Sequence, residues 1–583
     1  MQPTVDGLII NGMKSFIILL AIGIFGCVRI MAQSNNAQSI YEGERIQSVR
    51  FMYSGLPADS LESHKVRYQV EQTFLVYSYT HFNEFQTTYY LSQVKNLPFV
   101  EDATFLVEPS GVGGLNLLVY VGLADENRVT SRKSNLFKSL EAFPVIYSAP
   151  HSLLTFKMAA SEMAYSNNNA WFARPDPLLT GNPLASNPAG KGYTGWLEGF
   201  AMGGIYGIAR IIPKGNLHLY GGVGYILSFS AGRELFTDQS RFHGEVEDAF
   251  VGFVGGRRFG DMHEYSYSVL YGRKQFVLGN GWLIINTSMN GQERAALQIN
   301  PRWAARRLFL ATFRLDKLSF QAFQLRPNEL PIFYSHTILN GLNLELGSSD
   351  RIQIGGSVLH SPRSEVKYYL PDGTVLNRKG LWVYNLRLYG NQPAGKPGLF
   401  YKVEGGYQTN SHYKMRAYAW YTQLGWSFAH TPGKPALSYR FAYFSGDNPK
   451  TKAYERWDAL YTGGTGEQWV QGSNMYKIVQ NSNEMSNLLQ LVCSPVAKLQ
   501  TVAQFWTFMA PQTNNLGGNP GLSVMKSRYY GTELNLTVKY FHSQHWYFHL
   551  NTALTFPGSA VKETITGDAK NWFCLMAFVR YSL

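Results

Sequence analysis

The chain of 583 residues contains only three cysteines, Cys27, Cys493 and Cys574, and no CxxC pair. That excludes a disulfide framework and a thiolate zinc site. Charge is also scarce. Asp, Glu, Lys and Arg make up 16% of the chain, against about 25% in soluble domains. Mean hydropathy is −0.17, which does not fit a bundle of helices each needing about 20 apolar residues. The HExxH, GxSxG, P-loop and strand-framed GxGxxG signatures are missing. No catalytic residue and no cofactor is therefore expected. Lys and Arg outnumber Asp and Glu by 52 − 39 = 13, yet they form no block. They are scattered among aromatics with no nucleic-acid-binding motif beside them, so no nucleic acid is expected as a partner.

What the sequence has in quantity is aromatic side chains, 15% of the total, and 56 glycines. A chain this aromatic can bury enough surface to fold, which excludes disorder. Low charge, many aromatics and middling hydropathy together point to β-strands with one oily and one polar face.

Residues 1–33 read as an export signal, with Met13 a possible start. Lys14 precedes an uncharged, largely apolar stretch over residues 15–28, and Ala32-Gln33-Ser34 offers a small-residue exit. The stretch suits a signal core and is short for a membrane helix. Gly26-Cys27 loosely resembles a lipobox, which leaves lipidation of Cys27 open. Either way the mature chain leaves the cytoplasm.

Residues 41–123 show a β-α-α-β-β pattern. Residues 46–53 alternate as a strand. Val66, Val70, Phe74 and Tyr77 recur at helical spacing, as do Tyr90, Val94 and Leu97, with Pro98 as a stop. Strands follow over 100–107 and 115–121, linked by a Gly-rich turn. This stretch resembles a POTRA domain through Val49-Arg50-Phe51, Gly55, Phe82-Asn83, residues 97–103 and the final strand. The resemblance implies a periplasmic unit that offers strand edges to a partner chain. Residues 124–149 read as a linker.

From residue 150 to 583 the alternation of period two persists. Trp382, Tyr384, Leu386 and Leu388 alternate with Val383, Asn385, Arg387 and Tyr389; Leu342, Leu344 and Leu346 alternate with Asn343 and Glu345. A sandwich could bury such faces, but three features favour a membrane barrel. Charge lies at mid-strand on the polar face. Tyr and Trp crowd strand ends. The chain finishes in a strand whose pattern resembles the C-terminal signal of bacterial outer-membrane barrels. The expected fold is thus mainly β, a large antiparallel transmembrane barrel of about 16–18 strands behind a small POTRA-like domain. Outer-membrane lipid and lipopolysaccharide would surround it, and the small domain would face any periplasmic partner.

The barrel also resembles the alginate-export family of outer-membrane porins. Residues 272–284, Gly-Arg-Lys-Gln-Phe-Val-Leu-Gly-Asn-Gly-Trp-Leu-Ile, are similar to a Gly-Arg-Gln…Gly-Asp stretch, with Lys274 inserted and Asn280 in place of Asp. Residues 437–449, ending in Ser445-Gly446-Asp447-Asn448-Pro449, and Trp457-Asp458-Ala459-Leu460-Tyr461 are similar to a second family segment. The match extends over about residues 250–510. It implies export or diffusion of an anionic solute or polymer through an electropositive lumen. Strand parity nominates Arg314, Arg387, Lys402, Arg440 and Lys539 as lumen cations. Arg273 matches the family motif, although its parity is ambiguous. Glu345, Glu404 and Glu533 share the inner face and could neutralise part of the field. Asp447, Glu455 and Asp458 lie in one loop and could hold Ca²⁺ through oxygens, with a solvated loop as the default. The alternatives are a barrel of the Omp85 or two-partner type that handles polypeptides, and a closed structural or adhesive barrel. The Val-Arg-Gly-Phe/Tyr motif of the first is not found.

Overall fold

Most of the chain from residue 46 to residue 582 is described in a computed structural model. Outside the described residues lie 1–45, 55–65, 68–69, 72, 75, 77–81, 83, 96, 98, 110–114, 124–144, 150–151, 172–191, 213–216, 233–239, 260–262, 348–351, 391–396, 464–468, 497, 516–523, 543–545, 565–568 and 583. The signal segment, Cys27 and most of the expected linker therefore fall outside them.

The N-terminal strands are β1 (Ile46–Ser54), β2 (Val100–Pro109) and β3 (Leu115–Leu123), in the order β1-β3-β2. β1 runs parallel to β3 and β2 antiparallel to it. Helix α1 (Glu84–Lys95) lies in the connection from β1 to β2. The helical residues before it include Val70, whose carbonyl accepts the Phe74 N–H at 2.9 Å. Val70, Phe74, Val94, Phe105, Leu117 and Val119 are buried together. They are the helical-period and alternate-strand positions read from the sequence. Lys95 closes α1 where a cation suits the helix dipole, and its ammonium reaches Asp102 at 2.8 Å.

Within 124–149 the described residues form a short strand, β4 (Val145–Ala149), paired with the start of the next strand. The backbone groups of that strand's lower end are thereby satisfied before the barrel wall closes.

The wall follows as β5 (Ser152–Asn168), β6 (Tyr193–Arg210), β7 (Leu217–Gly232), β8 (Arg241–Phe259), β9 (His263–Lys274), β10 (Ala305–Leu315), β11 (Leu318–Arg326), β12 (Ile338–Gly347) and β13 (Gln353–Arg363). A small hairpin, β14 (Lys367–Tyr369) with β15 (Val375–Asn377), stands apart from it. The wall resumes as β16 (Leu381–Gly390), β17 (Gly398–Asn410), β18 (Ala417–Ser427), β19 (Ala436–Phe444), β20 (Glu484–Val496), β21 (Leu499–Met509), β22 (Tyr529–Phe541), β23 (Trp546–Pro557) and β24 (Trp572–Ser582). Each strand pairs antiparallel with the next. β24 returns to β5, with Phe573 opposite Asn168, closing a barrel of 18 strands. Closure removes the free edges that an open sheet would expose.

The faces sort as the alternation predicts. Leu342, Leu344, Leu346, Tyr384 and Leu386 are exposed on the outside, whereas Asn343, Glu345, Asn385 and Arg387 are buried within. One end carries the long connections 169–192, 275–304, 364–380 and 445–483. The other carries short turns such as 211–216, 316–317 and 428–435. Outer-membrane barrels place long loops outside the cell and short turns in the periplasm.

Candidate pore and its lining

A ring of 18 strands encloses an aqueous channel unless something fills it. Here two long connections enter it. Residues 275–304 join β9 to β10 and residues 445–483 join β19 to β20, from nearly opposite sides of the ring. They meet inside. The Ile285 N–H donates to the Tyr461 carbonyl at 3.0 Å, and the Tyr461 N–H to the Leu283 carbonyl at 3.1 Å. Tyr476 Oη donates to Gln298 Oε1 at 2.9 Å. Trp282 from one loop stacks on Trp457 from the other at 5.5 Å, beside Tyr421 of β18 and Phe444 of β19. Trp469 packs on Tyr421 at 4.2 Å. Burying these indoles fixes both loops to the wall by hydrophobic contact.

Polar contacts lock the first loop. Arg302 and Arg294 face Glu245 of β8, with Nε to Oε2 distances of 3.4 and 3.5 Å. Arg273 reaches the same carboxylate from the end of β9. Arg302 also donates to Ser228 Oγ of β7 at 2.9 Å. Glu247 accepts the N–H groups of Trp303 and Ala304 at 2.7 and 2.9 Å. The family-like stretch 272–284 thus begins at the end of β9 and runs mostly through the lumen loop. Gly279 sits at φ +58, and a Cβ there would lie 3.1 Å from Arg387 Cζ. Asn280 donates to Tyr421 Oη at 2.7 Å, and Tyr421 donates to Glu404 at 3.1 Å. An aspartate at 280 could not donate that first bond.

The second loop is held as firmly. The Asp458 carboxylate takes two bonds from Arg378, at 2.6 and 2.8 Å, and one from Tyr368. Burial pushes this carboxyl up, but the adjoining Arg378 guanidinium outweighs it and holds it below the ordinary aspartate range. Asp447 accepts the Glu455 N–H at 2.9 Å and the Asn514 amide at 3.1 Å. Gly446 has no room for a side chain, since a Cβ would fall 1.9 Å from Asn483 Oδ1. Further along, helix α2 (Tyr476–Val479) is preceded by N–H groups of Asn474 and Met475 that donate to Glu533 of β22 at 3.2 and 2.9 Å. Lys477 donates to Tyr165 Oη of β5 at 2.8 Å.

The nominated cations have different surroundings. Arg273 is paired with Glu245, which settles its ambiguous parity toward the interior. Arg387 is buried and bridges to Glu345 at 2.8 Å, with Ser357, Asn385 and Asn343 completing its fork. Arg440 is buried against two indole faces, 4.8 Å from Trp469 and 5.3 Å from Trp506, and donates to Gln471 Oε1 at 3.2 Å. Lys402, Arg314 and Lys539 are half-buried on the inward parity of β17, β10 and β22. Arg314 Nε donates to the Asp316 carbonyl at 2.9 Å. The three calcium candidates do not converge. Asp458 is occupied by Arg378 and Asp447 by amides, and among the described residues no group of His, Cys, Asp or Glu is placed to hold a metal.

Parity reasoning does not reach Arg294, Arg302, Arg378 and Lys477, because they sit in the long connections where period two does not apply. The available signal was the size of the connections together with their buried indoles.

At the short-turn end the N-terminal domain meets the barrel. The Tyr89 ring of α1 lies 5.5 Å from the His218 ring at the foot of β7, edge to face. Burial pushes the Tyr89 hydroxyl up in pKa, partly opposed by the charge of Arg210 at the foot of β6.

A closed cylinder with an oily exterior and a charged interior entered by its loops is an outer-membrane β-barrel channel. The chain belongs to the alginate export family, whose model matches residues 232–574, a longer stretch than the motifs span. No curated protein matches the sequence. Similar solved structures include Pseudomonas aeruginosa OccK9 (OpdG), 11% identical with TM-score 0.45, covering 74% of this chain and 98% of that one. Another is P. aeruginosa OpdK with vanillate, 12% identical with TM-score 0.43, covering 73% and 98%. A BenF-like porin from Pseudomonas fluorescens is 10% identical with TM-score 0.42, covering 74% and 98%.

Proposed function

We propose that this outer-membrane channel passes an anionic solute or polymer, of the polysaccharide kind that the family's description denotes. The observation that carries the reading is a row on the inner wall. Lys402 of β17, Gln423 of β18 and Arg440 of β19 lie in one register. Arg440 is held by an amide and two indoles, and among the described residues no carboxylate is in salt-bridge contact with it, Glu484 acting from further away. A guanidinium supported on neutral groups keeps its field, and a low-dielectric wall concentrates that field in the pore. Arg387 and Arg273 contribute less, because Glu345 and Glu245 oppose them at contact distance.

The N-terminal domain is the periplasmic unit in this reading. Its strand order and the contact of Tyr89 with His218 at the short-turn end support that position, and its POTRA-like pattern makes it a docking site for a periplasmic partner.

Reversal potentials in planar bilayers test the proposal. The channel should prefer anions, and Lys402→Glu with Arg440→Glu should reduce the anion-to-cation permeability ratio several-fold. Unchanged selectivity in the double variant would remove this row from the explanation.

A further inference from the structure

Arginines gather on the outer surface of the wall where the long loops begin. Arg307 of β10 stands directly opposite Arg326 of β11. The register of β11 with β12 carries the row on to Ile338, and Ile338 stands opposite Arg363 of β13. Three guanidinium-bearing positions thus occupy one row across four adjacent strands. Below them on the same face is the oily band, including Phe309, Phe313, Phe320 and Leu342. A bulge in β10, opposite Lys274 and Gly272 of β9, lets the neighbouring Arg306 be exposed as well. Its guanidinium lies 5.3 Å from the Tyr334 ring, beside the exposed Ile332 and Phe333.

Like charges directly opposite each other destabilise a sheet. Among the described residues, nothing offsets this row. Among the described residues, no carboxylate pairs with Arg306, Arg307, Arg326 or Arg363. Two acidic side chains of the adjoining loops, Glu329 and Glu365, are engaged elsewhere. Glu329 accepts from Ser335, and Glu365 faces His336 Nδ1 at 3.1 Å. The row therefore calls for an external anion at the level where the oily band ends.

We propose that this row binds lipid A, the phosphorylated disaccharide lipid of the outer leaflet, through its phosphates. Guanidinium groups fork onto phosphate oxygens. From Arg307 to Arg363 there are three strand spacings, about 14 Å in all. That length accommodates two phosphates at opposite ends of a disaccharide, where a phospholipid would present one. The apolar surface beneath receives the acyl chains. The proposal rests on the outer-membrane placement of the barrel and is independent of the solute that it passes.

The test is a native mass spectrometry titration of the full-length protein in detergent, with bisphosphorylated lipid A, dephosphorylated lipid A and phosphatidylglycerol as probes. The bisphosphorylated form should bind at least about tenfold more tightly than either of the others. Arg307→Ala with Arg326→Ala should abolish most of that preference, and Arg363→Ala should weaken it. Heat-dependent gel migration verifies that each variant remains a closed barrel. Equal binding of dephosphorylated lipid A or phosphatidylglycerol, or undiminished preference in the double variant, would overturn the proposal. Lys402→Glu with Arg440→Glu should leave lipid A binding intact, so the two readings fail separately.

Discussion

The small N-terminal sheet and the barrel wall are built from the same alternating pattern, used in opposite senses. In β3 the apolar members Leu117 and Val119 point into the protein and Tyr120 points out. In β16 the apolar member Leu386 is 75% exposed and its neighbour Arg387 is 4% exposed. Water surrounds the first sheet and lipid the second, so each turns its oily face to a different destination. Period two identifies a strand; it does not say which face is the inside. The interior of the barrel consequently obeys the rules of a buried polar network, where each charge must find a partner. Arg387 has Glu345, Arg378 has Asp458, and Arg302 has Glu245.

Three substitutions probe this inversion. The largest effect belongs to Val119→Lys. It would put a charge without a partner into the apolar core of the small domain, at a cost above about 4 kcal/mol. Limited proteolysis of the full chain should then digest residues 46–123 while the barrel stays resistant. A domain that resists the protease would contradict the core described here. Next is Arg387→Leu. Although it adds an apolar side chain, it should destabilise the barrel by about 3–5 kcal/mol, because the buried Glu345 loses the guanidinium that bridges to it. A lower urea midpoint for unfolding from lipid would register it, and an unshifted midpoint would mean that the interior tolerates oil. The smallest effect is expected one residue away. Leu386→Lys brings a charge to the lipid face and should cost about 2–4 kcal/mol, depending on its depth in the bilayer. If the same assay showed Leu386→Lys to be harmless, that face would not contact acyl chains.

Much of this architecture was legible beforehand. The elements of the small domain follow from Val70, Phe74 and Val94 at helical spacing and from strand alternation around Val119. The barrel strands are visible in segments such as 382–389 and 401–408. The inward direction of Arg387, Arg440 and Lys402 follows from parity alone. The lining was less legible. Asp458 reads by default as a solvated loop carboxylate, with calcium as the weaker option, yet Tyr368 and Arg378, far away in the chain, close over it. Arg273 had no parity to read, since the register breaks beside Gly272. The loop arginines 294 and 302 belong to no period at all.

By itself, then, the sequence determined that strands form, how many there is chain for, and which side chains share a face, because these depend on neighbours one or two residues away. Only the tertiary structure decided which charges remain effective in the lumen. That depends on where two loops from opposite sides of the ring meet, and on which distant side chain lies within hydrogen-bonding reach when they do. Local periodicity carries no information about such contacts, and the energy of a buried charge is set almost entirely by them.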